Sequence, residues 1–142
     1  MTPAAGRSNN AALPHRGRII VKIAASCLVL LVAAEHFGFL ILEMFLWQTP
    51  FAGRAFHISP ELAASTTALA ANQGLYNGFL SAGLLWGVSI DSGRVKTFFL
   101  CCVISAGIFG AATVRPSILF VQAGPAAAAL ILVLLARRLR DA

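Results

Sequence analysis

Charge is scarce in this 142-residue sequence, since charged residues make up only 11% of it. A soluble domain carries about 25% charged and about 45–50% apolar residues, whereas 58% of this chain is apolar and its mean hydropathy is +0.82. This composition argues against a soluble enzyme and against a disordered chain. The length is that of one domain. At about 20 residues per membrane span, it leaves room for at most four or five membrane helices.

Cysteine is scarce too, and the three cysteines lie inside apolar stretches, at Cys27, Cys101 and Cys102. Their number is odd, and none belongs to a Cys-x-x-Cys pattern. Neighbouring side chains on a helix point about 100° apart, so Cys101 and Cys102 are poorly placed to bridge each other. The pattern excludes a disulfide scaffold and predicts small, buried packing residues.

The sequence also lacks the motifs of metal and cofactor sites. His36 is the one histidine inside a predicted span, because His15 and His57 lie outside the apolar segments. A di-metal helix bundle needs two Glu-x-x-His motifs, and this sequence has none. There is no glycine-rich nucleotide loop and no Ser/His/Asp set. We therefore predict neither a metal nor another cofactor.

Apolar segments separated by short polar turns predict an all-α fold, a bundle of four transmembrane helices. Residues 1–17 are polar and basic, and we predict a disordered tail. Residues 18–138 are predicted to form one membrane domain with spans at about 19–47, 61–90, 95–114 and 117–136. Ser59 is a plausible N-cap for the second span, with Pro60 at the first helical position.

The basic residues lie at the ends of the apolar segments and predict the orientation. With four spans both termini share one side, which would carry nine basic residues against two, Arg54 and Arg115, on the other. This bias predicts cytoplasmic termini, with the lipid bilayer rather than nucleic acid as the partner. The nine are Arg7, Arg16, Arg18, Lys22, Arg94, Lys96, Arg137, Arg138 and Arg140.

Several short motifs resemble one family of small bacterial membrane proteins, catalogued as domain of unknown function family 1304. The resemblance covers about residues 19–135 and implies a four-span integral membrane protein of a bacterial inner membrane, without an established activity. The motifs are Glu35-His36, Leu42-Glu43-Met44-Phe45-Leu46-Trp47, Ala71-Asn72-Gln73-Gly74-Leu75-Tyr76-Asn77-Gly78-Phe79-Leu80, Ala106-Gly107-Ile108-Phe109-Gly110-Ala111-Ala112-Thr113 and Val121-Gln122-Ala123-Gly124-Pro125.

Polar residues within the predicted spans mark the candidate site, because an ionisable group in a membrane is costly unless it is paired or hydrated. At about 1.5 Å rise per residue, Glu35 lies roughly 18 Å from the outer end of span one. Asn72 and Gln73 lie roughly 16–18 Å from the outer end of span two. These residues and His36 therefore share a level near the midplane, and we predict that they line one pocket.

Further polar residues are placed toward the outer mouth of that pocket. The candidate catalytic residues are Glu35, His36 and Glu43. The candidate ligand-binding residues are Asn72, Gln73, Tyr76, Asn77 and Gln122. Gly74 and Gly78 have the spacing that lets another backbone approach, and we predict that they contact span three or a partner.

Three functions remain open on the sequence. The first is binding or transport of a small or lipophilic ligand, gated by protonation of Glu35 or His36. The second is a membrane enzyme acting on a lipid or isoprenoid, an isomerase, epimerase or proton-initiated cyclase, with the Glu-His pair as acid and base. The third is a structural or accessory subunit whose polar residues only fix helix register. A homo-oligomer is compatible with each of them.

Overall fold

The computed structural model describes residues 14–141, and this part of the chain contains helices and no strand. The predicted all-α class is confirmed. Residues 1–13 of the predicted tail lie outside the described residues, and the first helix begins at His15. The elements are α1 (His15–Met44), α2 (Pro50–Phe56), α3 (Pro60–Ser65), α4 (Thr67–Ser89), α5 (Gly93–Thr113), a π-helical turn (Leu119–Ala123) and α6 (Gly124–Asp141).

The segment predicted as the second span is divided at Thr66 into α3 and α4. Ser59 caps α3 as predicted, because its hydroxyl accepts a hydrogen bond from the Leu62 amide at 3.2 Å. The Thr66 hydroxyl donates to the Leu62 carbonyl at 2.6 Å and accepts from the Trp47 indole at 3.0 Å. Trp47 thus connects the end of α1 to the start of α4.

The last helical segment begins with a wide π-helical turn. The Gly124 amide donates to the Leu119 carbonyl, five residues earlier, and Pro125 follows directly. Proline has no amide hydrogen, and its ring crowds the preceding turn of a regular helix. A π turn is a common way for a helix to absorb such an irregularity. The irregularity at Pro125 is therefore local, and α6 continues to Asp141.

The four long helices pack in a closed ring of contacts. α1 packs most extensively against α4 and also against α6, while α5 lies against both α4 and α6. Small and β-branched residues dominate the shared core, which allows the helix axes to approach closely. The buried core residues are Ala25, Val29, Val32, Ala33, Leu84, Leu100, Val103, Ala126, Ala129 and Val133.

Glycines of α4 lie at its closest contacts. A Cβ on Gly74 would meet the Met44 amide nitrogen at 3.1 Å and the Leu40 carbonyl oxygen at 3.2 Å, both on α1. A Cβ on Gly78 would overlap the Leu40 side chain. The prediction that this pair contacts span three or a partner is therefore wrong, because it faces the first span.

The second half of α4 has glycines that face α5. A Cβ on Gly83 would overlap the Phe99 ring, and one on Gly87 would lie 3.0 Å from the Lys96 amide nitrogen. The glycines of α4 thus face α1 in the first half of the helix and α5 in the second half. The two glycine pairs lie on different faces of the helix, since nine residues separate Gly74 from Gly83.

Within residues 14–141, three helical segments are long and apolar enough to cross a membrane: His15–Met44, Gly93–Thr113 and Leu119–Asp141. α4 has 23 residues and is not among them, because Asn72, Gln73 and Asn77 lower its hydropathy. Cys27 and Cys101 are exposed on the outside of α1 and α5. The prediction that they are buried is wrong for these two, because small, closely packed residues fill the core instead.

Candidate functional site

His36 is completely buried in the middle of α1. Its Nδ1 lies 2.9 Å from the Val32 carbonyl oxygen. A carbonyl oxygen only accepts, so Nδ1 carries the hydrogen and donates it, which leaves Nε2 with a free lone pair in the neutral ring. Phe39 packs edge-on against the imidazole, with ring centroids 5.9 Å apart. The ring is thus held in place while Nε2 is buried with no hydrogen-bond partner among the described residues.

Glu35 is the neighbour of His36 and shares this property. Its side chain is half-buried, and its Oε1 is buried with no hydrogen-bond partner in the described part of the chain. Buried polar groups in proteins almost always have a partner, and an unsatisfied one costs about 1–3 kcal/mol, more if it is charged. Two adjacent residues of α1 thus each have one buried polar atom without a partner in the described part of the chain.

Glu43 and Asn77 form a direct bridge between α1 and α4. The Asn77 Nδ2 donates to the Glu43 Oε2 at 2.7 Å, and both side chains are half-buried. Glu43 lies two helical turns after His36 and projects from nearly the same face of α1. The bond is possible because Gly74, one turn before Asn77, brings the two backbones together.

Ser81 adds a second polar contact between the same helices, one that the sequence analysis did not single out. Its hydroxyl donates to the Ala33 carbonyl at 2.8 Å and is buried. Ser81 lies one turn beyond Asn77, and Ala33 lies just before Glu35 on α1. The available signal was a small polar residue four positions after Asn77 in an otherwise apolar stretch.

The structure does not bring all the predicted site residues together. Asn72 and Gln73 are exposed, and Tyr76 is 53% exposed, on the outside of α4. Gln122 is half-buried in the π-helical turn before α6. Of the predicted set, the groups at the contact of α1 and α4 are Glu43 and Asn77, with Glu35 and His36 further along α1.

The opposite end of the molecule contains a charged network in the turn after α4. Asp91 has a left-handed backbone conformation, with φ of 47°. Its carboxylate lies 2.6 Å from the Lys22 Nζ and 3.3 Å from the Nζ of Lys96, whose side chain is only 7% exposed. The Lys22 ammonium, helped by Lys96, holds the pKa of the Asp91 carboxyl below its usual value. The turn between α4 and α5 is thereby tied to the first turns of α1.

Sequence reasoning treated Lys22 and Lys96 only as flanking charges that set orientation. The signal for a specific network was the single acidic residue, Asp91, in the turn where the basic residues of one end converge. The described residues include no group of three or more side chains suited to hold a metal ion.

Comparison with known proteins places the chain in a family. Residues 30–134 match the protein of unknown function family DUF1304. The uncharacterized protein YpaA of Lactococcus lactis subsp. lactis (strain IL1403) is 32% identical over 108 residues, covering 73% of this chain and 91% of that protein. No solved structure matches the chain. The matched region contains Glu35, His36, Glu43 and Asn77, and the resemblance seen in the sequence motifs is confirmed: the chain belongs to the DUF1304 family.

Proposed function

We propose that this protein crosses a bacterial inner membrane four times and binds a small or lipophilic ligand between α1 and α4. The four-span topology is supported by the ring of contacts among α1, α4, α5 and α6. Large apolar side chains are exposed around it, such as Phe109 at 70% and Phe120 at 76%. An apolar exterior of this extent is typical of a surface that meets lipid.

The proposed binding site is centred on Glu35 and His36. The observation that carries it is the pair of unsatisfied buried atoms, Glu35 Oε1 and His36 Nε2. A ligand with an amine, or with two hydroxyl groups, would donate both to the carboxyl oxygen and to the imidazole lone pair. Its apolar part would contact the surrounding side chains. Glu43 would have a different role, since Asn77 already occupies one of its oxygens.

Transport is the natural extension of such binding. A carboxyl and an imidazole on adjacent residues can each hold or release a proton, and a change in protonation alters which ligands they accept. Protonation of Glu35 or His36 would then gate occupancy of the site. The hydrogen bonds of Glu43, Asn77 and Ser81 would hold α1 and α4 together and keep the site in place during this exchange.

The test is retention of a co-purified small molecule by detergent-solubilised protein, measured by native mass spectrometry. Glu35→Gln keeps the shape of the side chain and one hydrogen-bonding oxygen but removes the titratable proton. We expect retention to fall by about tenfold, because the ligand then bonds to a neutral amide oxygen instead of a charged carboxylate. Glu61→Gln is the matched control, because Glu61 is exposed at the start of α3.

The outcomes separate the three functions. Loss of the bound molecule in Glu35→Gln but not in Glu61→Gln supports binding at this site. Conversion of the molecule during incubation with the unmodified protein would show the membrane enzyme instead. Equal retention by both variants, or no bound molecule in any preparation, would favour a structural subunit and overturn the proposal.

A further inference from the structure

A cavity of about 310 Å³ opens at the end of the molecule where the α4–α5 turn lies. Its walls come from three places in the sequence: the first turns of α1, the turn with the start of α5, and the last turns of α6. Sites for small molecules have volumes from about 300 Å³ upward. The cavity is thus large enough for a compact polar group, and it lies some 13 residues, or about 20 Å, along α1 from Glu35.

The lining of this cavity is strongly basic. Five cationic side chains face one carboxylate, Asp91, so the lining has a net charge of +4. Lys22 and Lys96 share that carboxylate. The carboxylate of Asp141, which is not part of the lining, lies 3.8 Å from Arg140. The five cations are Arg18, Lys22, Lys96, Arg137 and Arg140.

The basic residues are held in position by the packing beneath them. A Cβ on Gly93 would overlap the Arg137 side chain, so the stem of that arginine lies directly over the turn. Gly87 makes similar room for Lys96, whose Cγ would lie 3.0 Å from an added Cβ. Arginine in a fixed position is well suited to bidentate bonds with phosphate oxygens. The glycines thus place cationic groups at the rim of the cavity.

The deeper part of the lining is apolar. It consists of small and aliphatic side chains from α1 and α6: Ile19, Ala25, Val133, Ala136 and Leu139. Ala25 and Val133 also belong to the buried core of the molecule. A free inorganic anion would use only the basic rim, whereas an anion attached to a hydrocarbon chain would use the rim and the apolar wall together.

We propose that this cavity is a binding site for a phosphate group carried by an amphipathic molecule, independent of the site at Glu35 and His36. The net positive lining attracts the phosphate. Arg18 of α1 and Arg137 of α6 bind it from two sides. Basic pockets between membrane helices on the cytoplasmic side are where anionic headgroups bind in other proteins. The ligand chemistry is a phosphate monoester or diester. A phospholipid headgroup and a free phosphate ester are its two sources.

The experiment is native mass spectrometry of the full-length protein in detergent, titrated with phosphatidylglycerol. Phosphatidylcholine is the zwitterionic control lipid. The cavity variant combines Arg18→Gln with Arg137→Gln. The matched control combines Arg16→Gln with Arg138→Gln, which removes the same charge from the same two helices at exposed positions outside the lining. Thermal unfolding of each variant in the same detergent checks that the fold is kept.

We expect phosphatidylglycerol to bind the unmodified protein and the control variant, and to bind the cavity variant about tenfold more weakly, because two charge-assisted contacts are lost. Equal weakening in both variants would show a diffuse attraction to the basic end and would overturn the proposal. Equal binding of phosphatidylcholine and phosphatidylglycerol would overturn it as well.

A neutral variant guards against misfolding of the double substitution. Ala136→Leu fills part of the cavity without changing charge, and Ala128→Leu makes the same change at an exposed position of α6 outside the lining. Selective loss of phosphatidylglycerol in Ala136→Leu supports the cavity as the site. Unchanged binding in a folded Ala136→Leu protein would place the lipid elsewhere and contradict the proposal.

Two further arms identify the source of the phosphate and separate this site from the proposed ligand site. Inorganic phosphate at millimolar concentration is added as a competitor. Displacement of phosphatidylglycerol would assign the site to free phosphate esters, and persistence of the lipid would assign it to headgroups. Glu35→Gln should leave phosphatidylglycerol binding unchanged, so failure of the Glu35 site would not affect this result. A loss of phosphatidylglycerol in that variant would contradict two independent sites.

Discussion

The polar side chains along α1 fall into two groups that differ in hydrogen bonding. Glu43 has a partner on another helix, Asn77. Glu35 and His36 each keep one buried atom without a partner in the described chain. The first arrangement stabilises a helix contact. The second costs free energy, because a buried polar atom without a partner loses the hydrogen bonds that it makes to water in the unfolded chain.

The bond between Glu43 and Asn77 makes a prediction about stability. Asn77→Leu removes the donor and leaves a half-buried carboxyl without its partner. We expect the free energy of unfolding to fall by about 1–3 kcal/mol, the usual cost of stranding a buried polar group. Asn72→Leu makes the same change on the exposed side of α4 and should change it by no more than about 0.5 kcal/mol.

Chemical denaturation of both leucine variants in one detergent measures this difference. Equal stability of Asn77→Leu and Asn72→Leu would mean that the carboxyl of Glu43 is satisfied by water instead. In that case the bond to Asn77 contributes little to the α1–α4 contact.

Depth along a helix could be predicted for these residues, but rotation could not. The rise per residue places Asn72 and Gln73 at a depth similar to that of Glu35. Which face of α4 meets α1, however, depends on where the backbones can approach most closely, and Gly74 and Gly78 decide it. Asn77 lies beside that face and bonds to Glu43, while Asn72 lies on the far side and is exposed.

The contacts of α4 depend on glycine spacing at the level of the element. Its first glycine pair lies against α1 and its second against α5. The small-residue spacing in the sequence indicated a close helix contact correctly. It could not name the partner, because a glycine pair allows approach by any backbone. The contact with α1 is favoured by the polar bonds from Asn77 and Ser81.

Alanine substitutions at three glycines should rank by the space around them. Gly74→Ala should destabilise the protein by about 1–3 kcal/mol, because the new methyl group meets backbone atoms of α1 that cannot rotate away. Gly78→Ala should cost less, since it meets the flexible Leu40 side chain. Gly38→Ala, with nothing within 4 Å of its Cβ, should be neutral or stabilising by up to about 1 kcal/mol.

Thermal unfolding in detergent gives this ranking directly. A Gly74→Ala protein as stable as Gly38→Ala would show that α1 and α4 are further apart than their contacts indicate.

Helix ends were predictable where the signal was local. Ser59 and Pro60 start α3, and the turn around Asp91 separates α4 from α5, as the sequence indicated. The break at Thr66 was not predictable. It is stabilised by the indole of Trp47, 19 residues earlier, and such a distant partner leaves no mark on the local pattern.

Across the whole molecule, the helix ends and the turns between helices meet in two groups, one at each end of the bundle. The start of α1, the α4–α5 turn and the end of α6 meet around the basic cavity. At the other end, the Arg115 guanidinium donates to the Phe56 carbonyl at 3.2 Å and joins the α5–α6 connection to α2. Since the turns between successive long helices lie at alternate ends, these helices run antiparallel. Four consecutive spans require this arrangement.

The four-span topology depends on α4 crossing the membrane, since α4 is the long helix that is not among the three segments apolar enough to do so by length and composition. The test uses single cysteines introduced by Ser65→Cys, Ser89→Cys and Ser117→Cys, after the three native cysteines are replaced by alanine. All three serines are exposed, and Ser65 and Ser89 lie at opposite ends of the α3–α4 segment. The proposed orientation places the basic end in the cytoplasm by the positive-inside rule, so a membrane-impermeant maleimide should label Ser65→Cys and Ser117→Cys in intact spheroplasts. It should label Ser89→Cys only after permeabilisation. Labelling of Ser65→Cys and Ser89→Cys from the same side would show that α4 does not cross, and the reverse pattern at all three positions would invert the orientation.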